Sequence, residues 1–412
     1  MNKRIIVKQE VINSFRALKH QNFRYFWIGQ CISLLGTWIQ RTSQLWLVYN
    51  ITRSPFLLGI LGVFQFGPML LFSLFAGTLV DRFSKKKVLI LTQAVLMLQA
   101  FVLAFLVWTG HVQYWHILIL AAIMGFVNTL DMPTRQSFII ELVGKEDLMS
   151  AVALNSAIVN IAKIIGPALS GIVIISLGMS SCFFLNGVSF IAVIIGLYFI
   201  KTNPINIQKR NGKLLSEVLE GLKYIGSSKI LLSAVFAMLA VGTFAMNSDV
   251  IIPVFAREVL HQQARTYGLL LSAMGIGSLI GAIIVSSRSK KSPTRKVLFI
   301  SAICECLLYM IFGFVHSYFS AILFIALLGF FSVIFLTTAN SIIQLNSDND
   351  YRGRTMSVYT LAFAGTTPIG NFFAGSVTER FGANMGFLAC GAVTIVLIAG
   401  ILIRENKVSR VV

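Results

Sequence analysis

Apolar runs of about 20 residues recur along the whole chain, each closed by a short polar break. They fall at 24–49, 56–80, 88–109, 115–138, 148–177, 180–200, 230–256, 266–287, 296–315, 318–344, 354–378 and 383–403. An α-helix rises about 1.5 Å per residue, so each run can cross a hydrocarbon core roughly 30 Å thick. Membrane-spanning β-strands are shorter and alternate in polarity, which these runs do not. The pattern predicts an all-α integral membrane protein with 12 transmembrane helices.

Composition agrees: 56% of the 412 residues are hydrophobic and only 12% charged, too little polar surface for a soluble chain of this length. The formal charge of +19 raises a nucleic-acid reading, which the placement of the cations removes. The odd-numbered gaps between spans hold only Arg53, Arg257, Arg265 and Arg380, while the termini and even-numbered gaps hold nearly all the rest, including Lys3, Arg4, Lys85, Lys86, Lys87, Lys209, Arg210, Lys290, Lys291, Arg295 and Lys296. This is the positive-inside distribution, and it predicts both termini in the cytoplasm. The five cysteines lie in or beside apolar spans, which implies buried thiols and no disulfide framework. Cys304-Glu305-Cys306 is too tight for a zinc pair and has no adjacent histidine. No metal or cofactor is expected.

The longest polar break, about 201–229, contains "KLLSEVLEGLKYI". There Leu214, Leu215, Val218, Leu219, Leu222 and Ile225 share one helical face, as in a helix lying on the inner leaflet. Six spans precede this linker and six follow, and the halves repeat. "GFVNTLDMPTRQSFI" at Gly125 aligns without gaps on "GFFSVIFLTTANSII" at Gly329, and the same register pairs Gly166 with Gly370, Gly171 with Gly375 and Phe183 with Phe387. In a shifted register, Gly36-Thr37 pairs with Gly242-Thr243. The expected organisation is a cytoplasmic segment 1–22, a six-helix bundle 23–200, a cytoplasmic linker 201–229, a second bundle 230–403 and a tail 404–412. Two such pseudo-symmetric bundles describe a secondary transporter with its site at the repeat interface.

Between spans 2 and 3 stands "GTLVDRFSKKKVLI". Gly77, Leu79, Asp81, Arg82, Lys85 and Lys86 match the loop 2–3 signature of the major facilitator superfamily, with Val80 and Ser84 departing from it. "RYFWIGQCISLLGTWIQ", "NTLDMPTRQSF" and "AVALNSAIVNIAKIIGPALSG" extend the likeness. From about residue 15 to 404 the chain resembles transmembrane secretion effectors, the branch that includes the enterobactin exporter. The resemblance implies a cytoplasmic gate in which Asp81 meets the start of span 11 near Arg354, with Arg82 and the lysines on headgroups or carboxylates of the other half. The alternative is an orientation signal only, although the second copy has lost the pattern: Ser286 and Lys290 replace Gly77 and Asp81. In span 5, Gly166, Pro167 and Gly171 resemble a motif of proton-driven exporters, with Ser170 and Ala162 in place of glycines. Pro167 bends the helix and the glycines permit close packing. The intramembrane arginine of the related span 4 motif is missing, Ala121 standing near its place.

Charges inside spans are costly and therefore candidates. Arg41, Asp131, Lys163 and Asp249 are expected to serve coupling or substrate binding, the alternative being ion pairs that only fix the bundle. Arg135 is expected to snorkel to the cytoplasm, and Glu305 reads equally as structural. Asp131 near Lys163 would suit a proton switch, and Arg41 with Asp249 an outer gate. Gly277 and Gly281 are spaced for helix packing, and no phosphate-loop or hydrolase motif occurs. The expected activity is alternating-access, proton-coupled efflux of a small organic molecule (drug, siderophore or amphiphile), by a monomer in a bacterial inner membrane. The partners are substrate, protons and lipid bilayer, with no nucleic acid and no enzymatic reaction. The alternatives are a metabolite uptake symporter of the same superfamily and a non-transporting receptor or scaffold.

Overall fold

Helices account for nearly all of the computed structural model, which describes residues 15–80, 83–144, 146–201, 214–287, 293–348 and 351–410. After a 3-10 turn at Arg16–Lys19 come α1 (Gln21–Thr52), α2 (Pro55–Val80), α3 (Lys85–Trp108), α4 (Tyr114–Val143), α5 (Leu148–Leu177) and α6 (Met179–Phe199). The linker helix α7 (Leu214–Ser227) leads into α8 (Lys229–Phe244), α9 (Ser248–Val254) and a π-helical turn at Phe255–Val259. The rest comprises α10 (Ala264–Ser287), α11 (Arg295–Phe312), α12 (Tyr318–Leu345), α13 (Arg352–Ala364) and α14 (Thr367–Arg410). No strand occurs among the described residues.

Helix α3 shows why these helices belong in a membrane. Its inward stripe of Leu89, Gln93, Leu96, Ala100 and Leu103 is buried, while Leu91, Leu98 and Phe105 on the far side are at least 60% exposed. A helix that is apolar on both faces has lipid, not water, as its outer solvent. Among the described residues, nine stretches are long and apolar enough to cross a membrane. One of them, Arg354–Arg404, runs for 51 residues and is interrupted by Gly382, whose φ of 84° breaks the helical path. Two expected spans fall short. Helix α1 carries polar side chains on its buried face, including Gln30, Gln40 and Gln44, and α11 contains Arg295, Lys296 and Glu305.

By contacts, the chain divides into two compact units. One comprises residues 1–44 and 71–211, the other 45–70 and 212–412. The C-terminal end of α1 and the first part of α2 therefore group with the second unit. In the first unit, Phe23, Phe26, Phe138, Leu142 and Leu197 share a core. In the second, α10 and α12 approach most closely. A Cβ at Gly277 would stand 1.7 Å from the Ala326 carbonyl oxygen, and one at Gly281 2.7 Å from that of Phe330. These glycines serve helix packing as their spacing predicts. The span expected at 230–256 is not continuous: the helix stops at Phe244 and restarts at Ser248.

Candidate functional site

In the first unit the polar chemistry centres on Asp131 of α4, buried at 3% exposure. Its Oδ1 accepts hydrogen bonds from Thr92 Oγ1 at 2.7 Å and Gln93 Nε2 at 2.8 Å, both from α3. Its Oδ2 accepts from Arg135 Nε at 3.1 Å and pairs with the guanidinium one helical turn on. Arg135, expected to snorkel outward, instead turns back along its own helix, because the i, i+4 spacing sets it beside a carboxylate. Lys163, the sequence-based partner for Asp131, lies half-buried on α5.

A second polar layer joins α1, α3 and α6. Gln40 donates to Gln99 at 3.1 Å and accepts from Asn186 at 2.8 Å. Ser43 of α1 meets Ser170 of α5 at 2.8 Å. Gly166 lies against Trp38, where a Cβ would be 2.5 Å from that of the tryptophan. Pro167 and Gly171 are buried beside it. Arg41 stands over the Trp38 ring at 5.2 Å. Sequence reading missed the glutamine layer; uncharged amides inside apolar spans are the available signal.

In the second unit the break in the seventh span exposes its own backbone to a neighbouring glycine. Asn247 is fully buried, and its Nδ2 donates to the Thr243 carbonyl at 2.7 Å. Gly370 of α14 packs into this break, where a Cβ would stand 1.8 Å from the Thr243 oxygen. Gly166 against α1 and Gly370 against α8 are equivalent contacts of the repeat. Asp249 follows the break, half-buried near the start of α9. Glu305 of α11 is 1% exposed, faces Ser332 of α12, and its Oε2 has no hydrogen-bond partner among the described residues.

A group of polar contacts in the second unit gathers around residues 46–59. Tyr49 Oη donates to Glu258, and Arg257 donates to Asn50 Oδ1. Trp46 stacks on Tyr267 with centroids 5.4 Å apart, and the Arg257 guanidinium lies 5.8 Å from the Trp46 ring. Glu379 accepts from Ser54 Oγ at 2.7 Å and from the Phe56 N–H at 3.1 Å, a carboxylate placed at the positive end of α2. Arg257 and Glu258 belong to the π-helical turn, a form that recurs at functional sites. Sequence reading missed this clasp, since partners 207 to 325 residues apart leave no local pattern.

Asp81 and Arg82 lie outside the described residues. Lys85 pairs with Glu141 of α4, and Lys86 Nζ donates to the Ile200 and Tyr198 carbonyls at 2.7 and 3.2 Å. These lysines thus bind within their own unit, Lys86 capping the negative end of α6, rather than a carboxylate of the other half. Arg354 pairs with Glu220 of α7 at 2.6 Å. Tyr224 of α7 stacks on Tyr351 at 4.5 Å and accepts from the Asp348 N–H at 3.0 Å. On the expected apolar face of linker helix α7, Ile225 is buried while Leu219 and Leu222 are exposed, and the side chains of Leu214, Leu215 and Val218 lie outside the described residues.

A family model described as "Transmembrane secretion effector" matches residues 12–411. This chain is a transmembrane secretion effector of the major facilitator superfamily. The transporter is 24% identical to the staphyloferrin A transporter of Staphylococcus aureus over 90% of this chain and 93% of that one. It is 23% identical to the multidrug efflux pump Tap of Mycolicibacterium fortuitum over 84% and 86%. Similarity to the enterobactin exporter EntS of Salmonella typhi is 22% over 83% and 82%. Among solved structures, a bacterial homologue of the human lysosomal transporter Spinster superposes with a TM-score of 0.74 at 11% identity, covering 93% of this chain and 97% of that one. The nucleoside transporter NupG gives 0.74 at 12%, covering 92% and 98%. The transporter is thus a multi-pass membrane protein of bacterial type and not an enzyme.

Proposed function

We propose that this transporter exports a small amphiphilic organic molecule, a siderophore or a drug, across the cytoplasmic membrane in exchange for protons. The observation that carries the reading is the match of one secretion-effector model to nearly the whole chain, with relatives named as a multidrug efflux pump and an enterobactin exporter. In this reading the chain crosses the membrane 12 times as a monomer, with both termini in the cytoplasm. Asp131, buried and held by Arg135, Thr92 and Gln93, is the proton-coupling residue in this reading. The clasp between residues 46–59 and Arg257, Glu258 and Glu379 serves as the outer gate, and Arg41 and Asp249 are charged residues that serve coupling or substrate binding. Asp81, Arg82 and Gly77 form the cytoplasmic gate with Lys85 and Lys86. Gly166, Pro167 and Gly171 give the fifth span its bend, and Lys163 lines the substrate path. Each gate opens in one state and closes in the other, as alternating access requires.

Inverted membrane vesicles test the reading. With the interior acidified, vesicles carrying the transporter should accumulate a member of a siderophore and dye panel, and collapsing the pH gradient should abolish it. Accumulation only in right-side-out vesicles, driven by protons entering with solute, would replace export by uptake symport. No movement of any solute would return the protein to a receptor role.

A further inference from the structure

We infer that the second unit holds a binding site for an anionic phospholipid of the leaflet that the charge distribution assigns to the cytoplasm. A cleft of about 530 Å³ opens between the starts of α8 and α11 and the end of α14. Its volume falls within the usual range of sites for small organic ligands. The wall is apolar, with Leu232 and Phe236 of α8 among its residues, while Lys229, Arg295 and Arg404 also line it, one from each helix. Lys229 and Arg404 are exposed and Arg295 is half-buried. Among the described residues, no acidic side chain lines the cleft.

Two further features favour an anion. Helices α8 and α11 both begin here, capped by Ser228 and Thr294, whose hydroxyls accept the Leu231 and Val297 N–H groups at 3.4 Å. The positive ends of two helix dipoles are therefore added to three cations. A cationic amphiphile is repelled by these basic side chains and a neutral one gains nothing from them, whereas a phosphodiester is attracted to them while its acyl chain follows the apolar wall. A soluble anion would satisfy the cations and leave the cleft empty. The occupant that uses both features is a phospholipid with a net negative headgroup. The site depends on membrane residence alone, so it stands apart from the direction or substrate of transport.

Native mass spectrometry of the purified full-length transporter with dioleoyl phosphatidylglycerol and dioleoyl phosphatidylcholine tests the site. Phosphatidylglycerol should be held at least about tenfold more tightly than phosphatidylcholine, from the pull of three basic residues near the membrane surface. The triple variant Lys229→Gln, Arg295→Gln, Arg404→Gln should lose that preference. Gly400→Phe supplies the second arm. Gly400 lines the cleft, and a Cβ there meets nothing within 4 Å, so a phenyl ring should fill the space with the fold and all three charges retained. It should weaken phosphatidylglycerol binding as the triple variant does. Equal binding of the two lipids by the unmodified protein would overturn the site. So would wild-type preference in Gly400→Phe, which would reduce the effect to a basic surface with no seated chain.

Discussion

In the proposed mechanism a single residue, Asp131, carries the coupling. Asp131→Asn removes the anion and leaves Arg135 beside neutral partners. Removing one partner of a buried pair costs on the order of 3 kcal/mol, so thermal stability should fall. Adding Arg135→Gln removes the stranded charge and should recover much of that stability, yet not pH-driven transport. Transport restored with stability would make the pair purely structural. At the membrane surface, Asp147 binds the N-terminal 3-10 turn. It accepts from His20 at 2.9 Å and pairs with Arg16 at 3.2 Å, while Ser150 accepts the Ala17 N–H. The His20 hydrogen bond, reinforced by the charge of Arg16, outweighs desolvation and holds the Asp147 carboxyl below its ordinary value of 3.8. A depressed carboxyl favours the folded state above the ordinary carboxylate range, and that contribution fades as pH falls through and below it. Proteolysis near residue 15 should therefore rise on acidification below about pH 4, and Asp147→Asn should show the higher rate already at pH 7.

At the scale of elements, the contacts around 46–59 are a latch built from a broken helix. The seventh span stops at Phe244, restarts at Ser248 and ends in a π-helical turn, which aims Arg257 and Glu258 toward Asn50 and Tyr49. A hydrogen bond to a charged group contributes about 1.5–3 kcal/mol. Glu258→Gln should accordingly shift the closed outer gate toward open by roughly ten- to hundredfold. A cysteine at Ser248, buried behind the latch, reports this as faster alkylation by a membrane-impermeant reagent added outside. An unchanged rate would leave the latch without a gating role. The linker helix makes a parallel case: its apolar face was legible in the sequence, but the Glu220–Arg354 pair and the Tyr224–Tyr351 stack that fasten it to α13 were not.

For the whole molecule, orientation is the property most open to test. Single cysteines at Lys86 and Lys296, in a background without native cysteines, should react only with reagent on the cytoplasmic side. One at Gln262, in the gap after the π-helical turn, should react from outside. Labelling of Lys86 from outside would invert the molecule and exchange the two gates. The same orientation puts Lys229, Arg295 and Arg404 in the leaflet where anionic lipid and basic residues attract each other.

The sequence by itself determined the solvent, the helical class and the repeat. Those properties follow from local apolarity and its period, and Leu91, Leu98 and Phe105 report lipid without any knowledge of their neighbours. Superfamily membership was also legible, because Gly77, Lys85 and Lys86 stand at fixed spacings in one short stretch of chain and Gly166 and Pro167 in another. Tertiary structure alone decided which charges meet. Asp131 takes Arg135, one turn away, and Lys85 takes Glu141 rather than a partner in the other half. Tyr49 reaches Glu258 across some 200 residues of chain. In an apolar medium an unpaired charge is expensive, so each takes the nearest group the packing offers. Nearness in space is set by glycine contacts such as Gly370 on Thr243 and by the stop at Phe244, neither of which periodicity encodes.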